Sequence, residues 1–191
     1  MPTYERIKQL AECVNEISEK YQLIHATFAI EKLLQDKLKE DIRKEMCELR
    51  ERLLNEDDKD AQVDLFNEAA DLKTGRRSRV RIIVDYLPQI EDDSARLTRT
   101  PGNTFIIYLP KSMESIRSVD GTIDFEKLGR LRKLMAHELG HIVLHSGILC
   151  EKEDIEGNRH EEEADIFANI LIELRRKRNA EIYMDRHFEL I

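Results

Sequence analysis

From Thr3 to Thr74 the chain contains neither glycine nor proline, and this stretch limits the accessible folds more than any other feature of the sequence. Its residues are mostly Glu, Lys, Leu, Ala and Arg, which are strong helix formers. Ile7, Leu10, Val14, Ile17 and Tyr21 recur at spacings of three and four, and so do Ile30, Leu34, Leu38, Ile42, Met46, Leu49 and Leu53. That period predicts two amphipathic helices, with a break or buried turn in the richer run from Leu23 to Ile30. The patch Asn55, Glu56, Asp57, Asp58 ends the second helix and caps a third, which carries Val63, Leu65, Phe66, Ala69 and Leu72 up to Gly75.

Beyond Gly75 the period changes. Val80, Ile82, Ile83 and Val84, and then Thr104 to Leu109 stopped by Pro110, read as two strands. The polar segment between them reads as a loop or an irregular third strand. A helical pattern returns from Phe125 to about His145, with Leu128, Leu131, Met135, Ile142 and Val143 as expected core contacts and Ser146, Gly147 as its stop. The pattern predicts a mainly helical α+β chain with a short twisted sheet, divided into an N-terminal helical segment over 1–60 and a second domain over 61–191.

Charge and cysteine content narrow the function classes. The formal charge of −8, with more acidic than basic side chains in residues 1–60, argues against nucleic-acid binding as the main activity. The local basic runs, Arg76, Arg77, Arg79 and Arg81, then Arg175, Arg176, Lys177 and Arg178, read as solvated faces or element ends. Cys13, Cys47 and Cys150 are too widely spaced for a CxxC metal knuckle and are expected as free thiols. With no apolar run of membrane-spanning length and no signal-peptide pattern at the N-terminus, a cytoplasmic location is expected.

The chemistry is concentrated in the second half. His137, Glu138, Leu139, Gly140 and His141 spell HExxH. On a helix the two histidines stack on one face with Glu138 turned partly toward them, a spacing that suits a zinc ion held by both imidazoles and a glutamate acting as general base on a water. A catalytic zinc site usually takes a third protein ligand. The longer pattern HExxHxxGxxH does not supply it, because Leu144 and Gly147 occupy the required glycine and histidine positions. A glutamate from the following helix is the other solution, and Glu161, Glu162 and Glu163 are adjacent there. Against the apolar arc of Ala164, Phe167, Ala168, Leu171 and Leu174, Glu162 faces water, while Glu161 and Glu163 flank the arc. Asp165, one turn beyond Glu161, favours Glu161 as ligand, because an acid there can accept a hydrogen bond from the outer nitrogen of a ligating histidine.

The run HELGHxxLH, followed after a short gap by ExEADxFA, resembles the ImmA/IrrE family of bacterial and phage metallopeptidases. The specific likeness covers about Arg130 to Leu171. It implies a small thermolysin-like zincin core, Zn2+ on His137, His141 and Glu161, Glu138 as catalytic base, and cleavage of a regulatory protein such as a transcriptional repressor. One departure is visible: where the family often closes the second helix with Leu-Leu-Met-Pro, this chain continues Leu171, Ile172, Glu173, Leu174, Arg175.

Further polar residues are candidates around this site. His145, one turn past His141, is expected in a hydrogen-bonded role beside the ligands; His160 and Cys150 flank the site, and Tyr183 and His187 are candidate transition-state donors. The run from Thr104 to Leu109 is expected as an exposed edge that pairs with a substrate strand. Two other readings keep the fold and change the function: a non-proteolytic zincin-fold regulatory binding protein, and a toxin–antitoxin component. In the latter the N-terminal helices would pair with a partner; otherwise they are expected as a lid, a homodimer interface or a support for the catalytic core.

Overall fold

A computed structural model describes residues 3–21, 26–56, 58–75, 79–101, 103–118, 120–149 and 159–188, of which the side chains of 69, 71–75 and 178–188 are left aside. The described residues include five α-helices, one sheet and a 3-10 turn over Lys111–Glu114: α1 Tyr4–Lys20, α2 Ala26–Leu54, α3 Lys59–Gly75, β1 Arg81–Leu87, β2 Arg96–Thr100, β3 Thr104–Pro110, α4 Phe125–His145 and α5 Arg159–Phe188. The mainly helical α+β class read from the sequence is the observed one.

Local signals set the helix starts. Thr3 caps α1 by accepting from the Arg6 amide at 3.3 Å, and Asp124 caps α4 by accepting from the Lys127 amide at 2.9 Å. Gly147, at φ 76°, turns the chain away beyond α4 in a conformation that disfavours any side chain.

The sheet corrects one expectation. Its order is β1-β3-β2, with β3 parallel to β1 and antiparallel to β2. Thr104 to Leu109 is therefore the central strand and not an exposed edge. The reason lies in its burial: Phe105, Ile107 and Leu109 are fully packed on one face, and the alternating residues of the other face are half-buried, as expected of a middle strand. The polar segment before it forms β2, a true edge, joined to β3 by a tight turn in which Asn103 adopts φ 59°. At the opposite edge α2 reaches only the start of β1, where the side chains of Gln35 and Glu31 accept from the amides of Val80 and Ile82.

One apolar cluster joins the N-terminal helices to the motif helices. Ile7, Leu10 and Val14 of α1 and Ile30 and Leu34 of α2 pack with Phe105 and Ile107 of β3, Ile142 and Val143 of α4, and Phe167 and Leu171 of α5. Arg175, read as part of a solvated basic run, instead donates to Ser18 Oγ at 2.8 Å and ties α5 to α1, while Arg176 and Lys177 are exposed. Of the expected apolar stripe of α3, the Ala69 and Leu72 side chains lie outside the described residues, and the other three divide. Leu65 is buried but Val63 and Phe66 are exposed, because α3 packs chiefly on α2 and, among the described residues, no second layer lies above it. Among the described residues no helix is long and apolar enough to cross a membrane.

Candidate metal centre

The site forms where the C-terminal half of α4 meets the first turns of α5. Gly140 makes this contact close: a Cβ built on it would lie 3.0 Å from the Ala164 carbonyl oxygen and 3.1 Å from Ala164 Cα. A glycine costs a helix interior about 1 kcal/mol relative to alanine, so its presence mid-helix points to such a constraint. The approach brings the α5 acids within hydrogen-bond reach of the α4 imidazoles.

His137 and His141, at i and i+4 on one helix face, meet edge to face with ring centroids 4.7 Å apart and planes 78° from parallel. Their Nε2 atoms are 3.0 Å apart, Glu161 Oε2 lies 3.0 Å from His137 Nε2, and Glu161 Oε1 lies 3.5 Å from His141 Nε2. On the outer side, His137 Nδ1 is 2.9 Å from Asp165 Oδ1 and His141 Nδ1 is 3.1 Å from His145 Nδ1. His145 Nε2 in turn lies 3.1 Å from Glu163 Oε2. His137, His141, Glu161, Asp165 and His145 are thus brought together.

The donor set fits a cation. With His137 donating its Nδ1 proton to Asp165, its Nε2 faces inward as a lone pair toward a carboxylate and a second imidazole nitrogen, and such acceptors repel unless a positive centre lies among them. Tetrahedral ligands about 2.0–2.1 Å from a zinc ion are separated from one another by about 3.3 Å, and the three spacings here bracket that value. Burial pushes His141 down to about 4, against the pull of Glu161, so its imidazole is neutral near pH 7, the form that ligates metals. Glu161 is exposed at 63% of its side chain, which leaves the site open on that side.

Glu138 sits beside these groups and is 6% exposed. Burial raises its carboxyl above the ordinary carboxylate range; His137 opposes this and Glu161 adds to it. A raised pKa suits a group that must take up and release a proton near neutrality.

Glu163 is where sequence reasoning fell short. It was placed at the flank of the apolar arc as the alternative to Glu161, yet it is buried at 4% exposure and faces His145. Arg159, one turn earlier, holds its Nε 3.5 Å from Glu163 Oε1, and this Arg–x–x–x–Glu spacing is the one sequence signal, unused above, that could have marked a paired carboxylate. His160 stacks on His145, with centroids 4.1 Å apart and planes 20° from parallel. Cys150 lies outside the described residues, and Tyr183 and His187 fall where only the α5 backbone is described.

No curated protein and no solved structure matches the chain. Residues 126–190 match a peptidase family model, the IrrE N-terminal-like domain. That span takes in all of α4 but its first residue, α5 and every side chain of the cluster just described, and over these residues the chain is similar to the ImmA/IrrE family of peptidases.

Proposed function

We propose that the protein is a zinc-dependent endopeptidase that cleaves a regulatory protein, such as a transcriptional repressor, with His137, His141 and Glu161 as ligands and Glu138 as general base. The observation that carries this reading is the convergence of one ligand atom from each of those three residues within 4.8 Å, beside the buried Glu138. When bound, zinc acidifies a water and polarises the scissile carbonyl. Glu138 takes the proton of that water as it attacks, then delivers it to the leaving amine; its burial keeps the carboxylate poorly solvated and therefore basic. Asp165 holds the His137 ring by accepting its Nδ1 proton.

The substrate strand is assigned to β2. Of the two sheet edges it is the one beside the motif helix, to which Arg99 ties it: its Nη1 donates to the Ser146 carbonyl at 2.7 Å just past the end of α4. Proline substitutions along Arg96–Thr100 should impair cleavage while leaving metal content unchanged; retained cleavage would remove β2 from the substrate path.

The test of the whole reading is metal content by elemental mass spectrometry on chain purified without chelator. About one zinc per chain is expected in the wild type and in Glu138→Gln, with loss in Glu161→Gln and loss of peptidase activity in Glu138→Gln. A wild-type chain without zinc would favour a zincin-fold binding protein instead.

A further inference from the structure

The two imidazoles proposed as ligands are held from behind in different ways. His137 Nδ1 meets a carboxylate directly, at Asp165. His141 Nδ1 meets another imidazole, His145, whose far nitrogen meets the buried carboxylate of Glu163. We propose that Glu163 and His145 are positioning residues, forming a two-step relay that fixes the tautomer of His141 and so presents its Nε2 lone pair to the metal. This rests on the metal reading above and adds to it the source of the second ligand's orientation.

The direction of the relay follows from hydrogen-bond inventory. A carboxylate only accepts, so His145 Nε2–H must donate to Glu163 Oε2. A neutral imidazole carries one N–H and one lone pair, so His145 Nδ1 is then an acceptor, and His141 Nδ1–H donates to it across 3.1 Å. The remaining nitrogen of His141, Nε2, is left as a lone pair facing His137 Nε2 and Glu161. Each step removes one alternative.

The parts of the relay are themselves fixed. Glu163 is 4% exposed, and the guanidinium of Arg159 at ion-pair distance offsets the cost of burying its charge. His160 lies flat on the His145 ring and limits its rotation. Glu161, Glu163 and Asp165 alternate along the first turns of α5, so one helix end supplies a ligand atom and both carboxylates that orient the imidazoles.

The experiment reads tautomers in the metal-free full chain by long-range proton–nitrogen correlation NMR at mildly alkaline pH, and zinc affinity by competition with a chromophoric chelator. In the wild type, His141 is expected with its proton on Nδ1. Glu163→Leu and His145→Phe should both release that preference and weaken zinc binding by roughly 10- to 100-fold. His145→Gln, which restores an acceptor for His141 Nδ1–H, should recover part of the loss that His145→Phe causes; a merely structural His145 gives no such recovery. Glu163→Gln keeps the shape and weakens the acceptor, and carries the same test should Glu163→Leu fail to fold. Asp165→Asn should change His137 and leave the His141 tautomer alone. The relay is overturned by a wild-type His141 protonated on Nε2, or by a tautomer that stays the same in His145→Phe and in the Glu163 variants. Absence of zinc binding in a wild type whose tautomers follow the variants would sink the metal reading and leave the relay standing; zinc binding with tautomers indifferent to the variants would do the reverse.

Discussion

Two helix pairs in this molecule are built from similar residues and end in opposite states. Where α5 meets α4, Ala164, Phe167, Ala168 and Leu171 are buried, Gly140 lets the backbones touch, and even Glu163 and Glu138 are taken out of water. Where α3 meets α2, Leu65 and Leu49 are buried, Val63 and Phe66 are exposed at 56% and 60%, and the groove between the helices is lined largely by carboxylates, among them Glu48, Glu51, Glu56, Asp64 and Glu68. Helix propensity does not separate the pairs. What does is the third layer: α4 and α5 press against β3 and α1, whereas α3 packs chiefly on α2. Apolar burial makes one pair rigid enough to hold polar groups in set positions, and the other keeps its polar groups in solvent.

The contrast is sharpest for a phenylalanine on each pair. Phe167→Ala removes a fully buried ring and should cost about 3–5 kcal/mol, with loss of metal binding. Phe66→Ala removes an exposed ring and should cost about 0.5 kcal/mol or less. Urea unfolding of the two variants checks both values, and equal losses would mean that α3 is covered in solution. Next in size is Gly140→Ala. The added methyl gains about 1 kcal/mol of helix propensity but meets the Ala164 backbone at 3.0–3.1 Å, where overpacking costs about 1–3 kcal/mol. A lowered melting temperature and weaker zinc uptake are expected; a stabilised protein with unchanged uptake would show that the two helices can separate freely.

A smaller effect, with a sign fixed by burial, is expected at Glu138. Its pKa is raised in the folded chain, so the folded state holds the proton more tightly than the unfolded state does. Its contribution to the stability of the metal-free protein is therefore most favourable below the ordinary glutamate value and is lost as pH rises through the raised one. Glu138→Gln removes that penalty. Metal-free Glu138→Gln should melt above the wild type at neutral pH, with the gap closing toward pH 4, and a gap that widens on acidification would contradict the burial account.

How much of this was legible in the sequence depends on whether the cause is local. Helix α4 could be read from Phe125 to His145 because its period, its Asp124 cap and its Ser146, Gly147 stop are all short-range. The rank of β3 within the sheet could not be read that way: the run Thr104 to Leu109 looks the same as an edge or a centre until β1 and β2 pair with it. Helical phase separates Glu162 from its neighbours, but the burial of Glu163 depends on His145 from another helix as well as on Arg159. The exposure of Val63 and Phe66 likewise depends on what the other described elements bring against α3, which their own spacing does not encode.

The smallest expected effect tests the solvated side of the comparison. Arg52 Nη1 lies 3.5 Å from Glu68 Oε2 across α2 and α3, with both side chains more than half exposed. At that exposure the Coulomb gain is screened and the entropy of holding two long side chains offsets much of it, so Arg52→Ala should cost no more than about 0.5 kcal/mol. The effect should shrink further in high salt, and a double-mutant cycle with Glu68→Ala should give a coupling near zero. A coupling as large as 2 kcal/mol would show the groove to be drier than its exposure implies, and the division between a packed motif pair and a solvated outer pair would then have to be redrawn along α2.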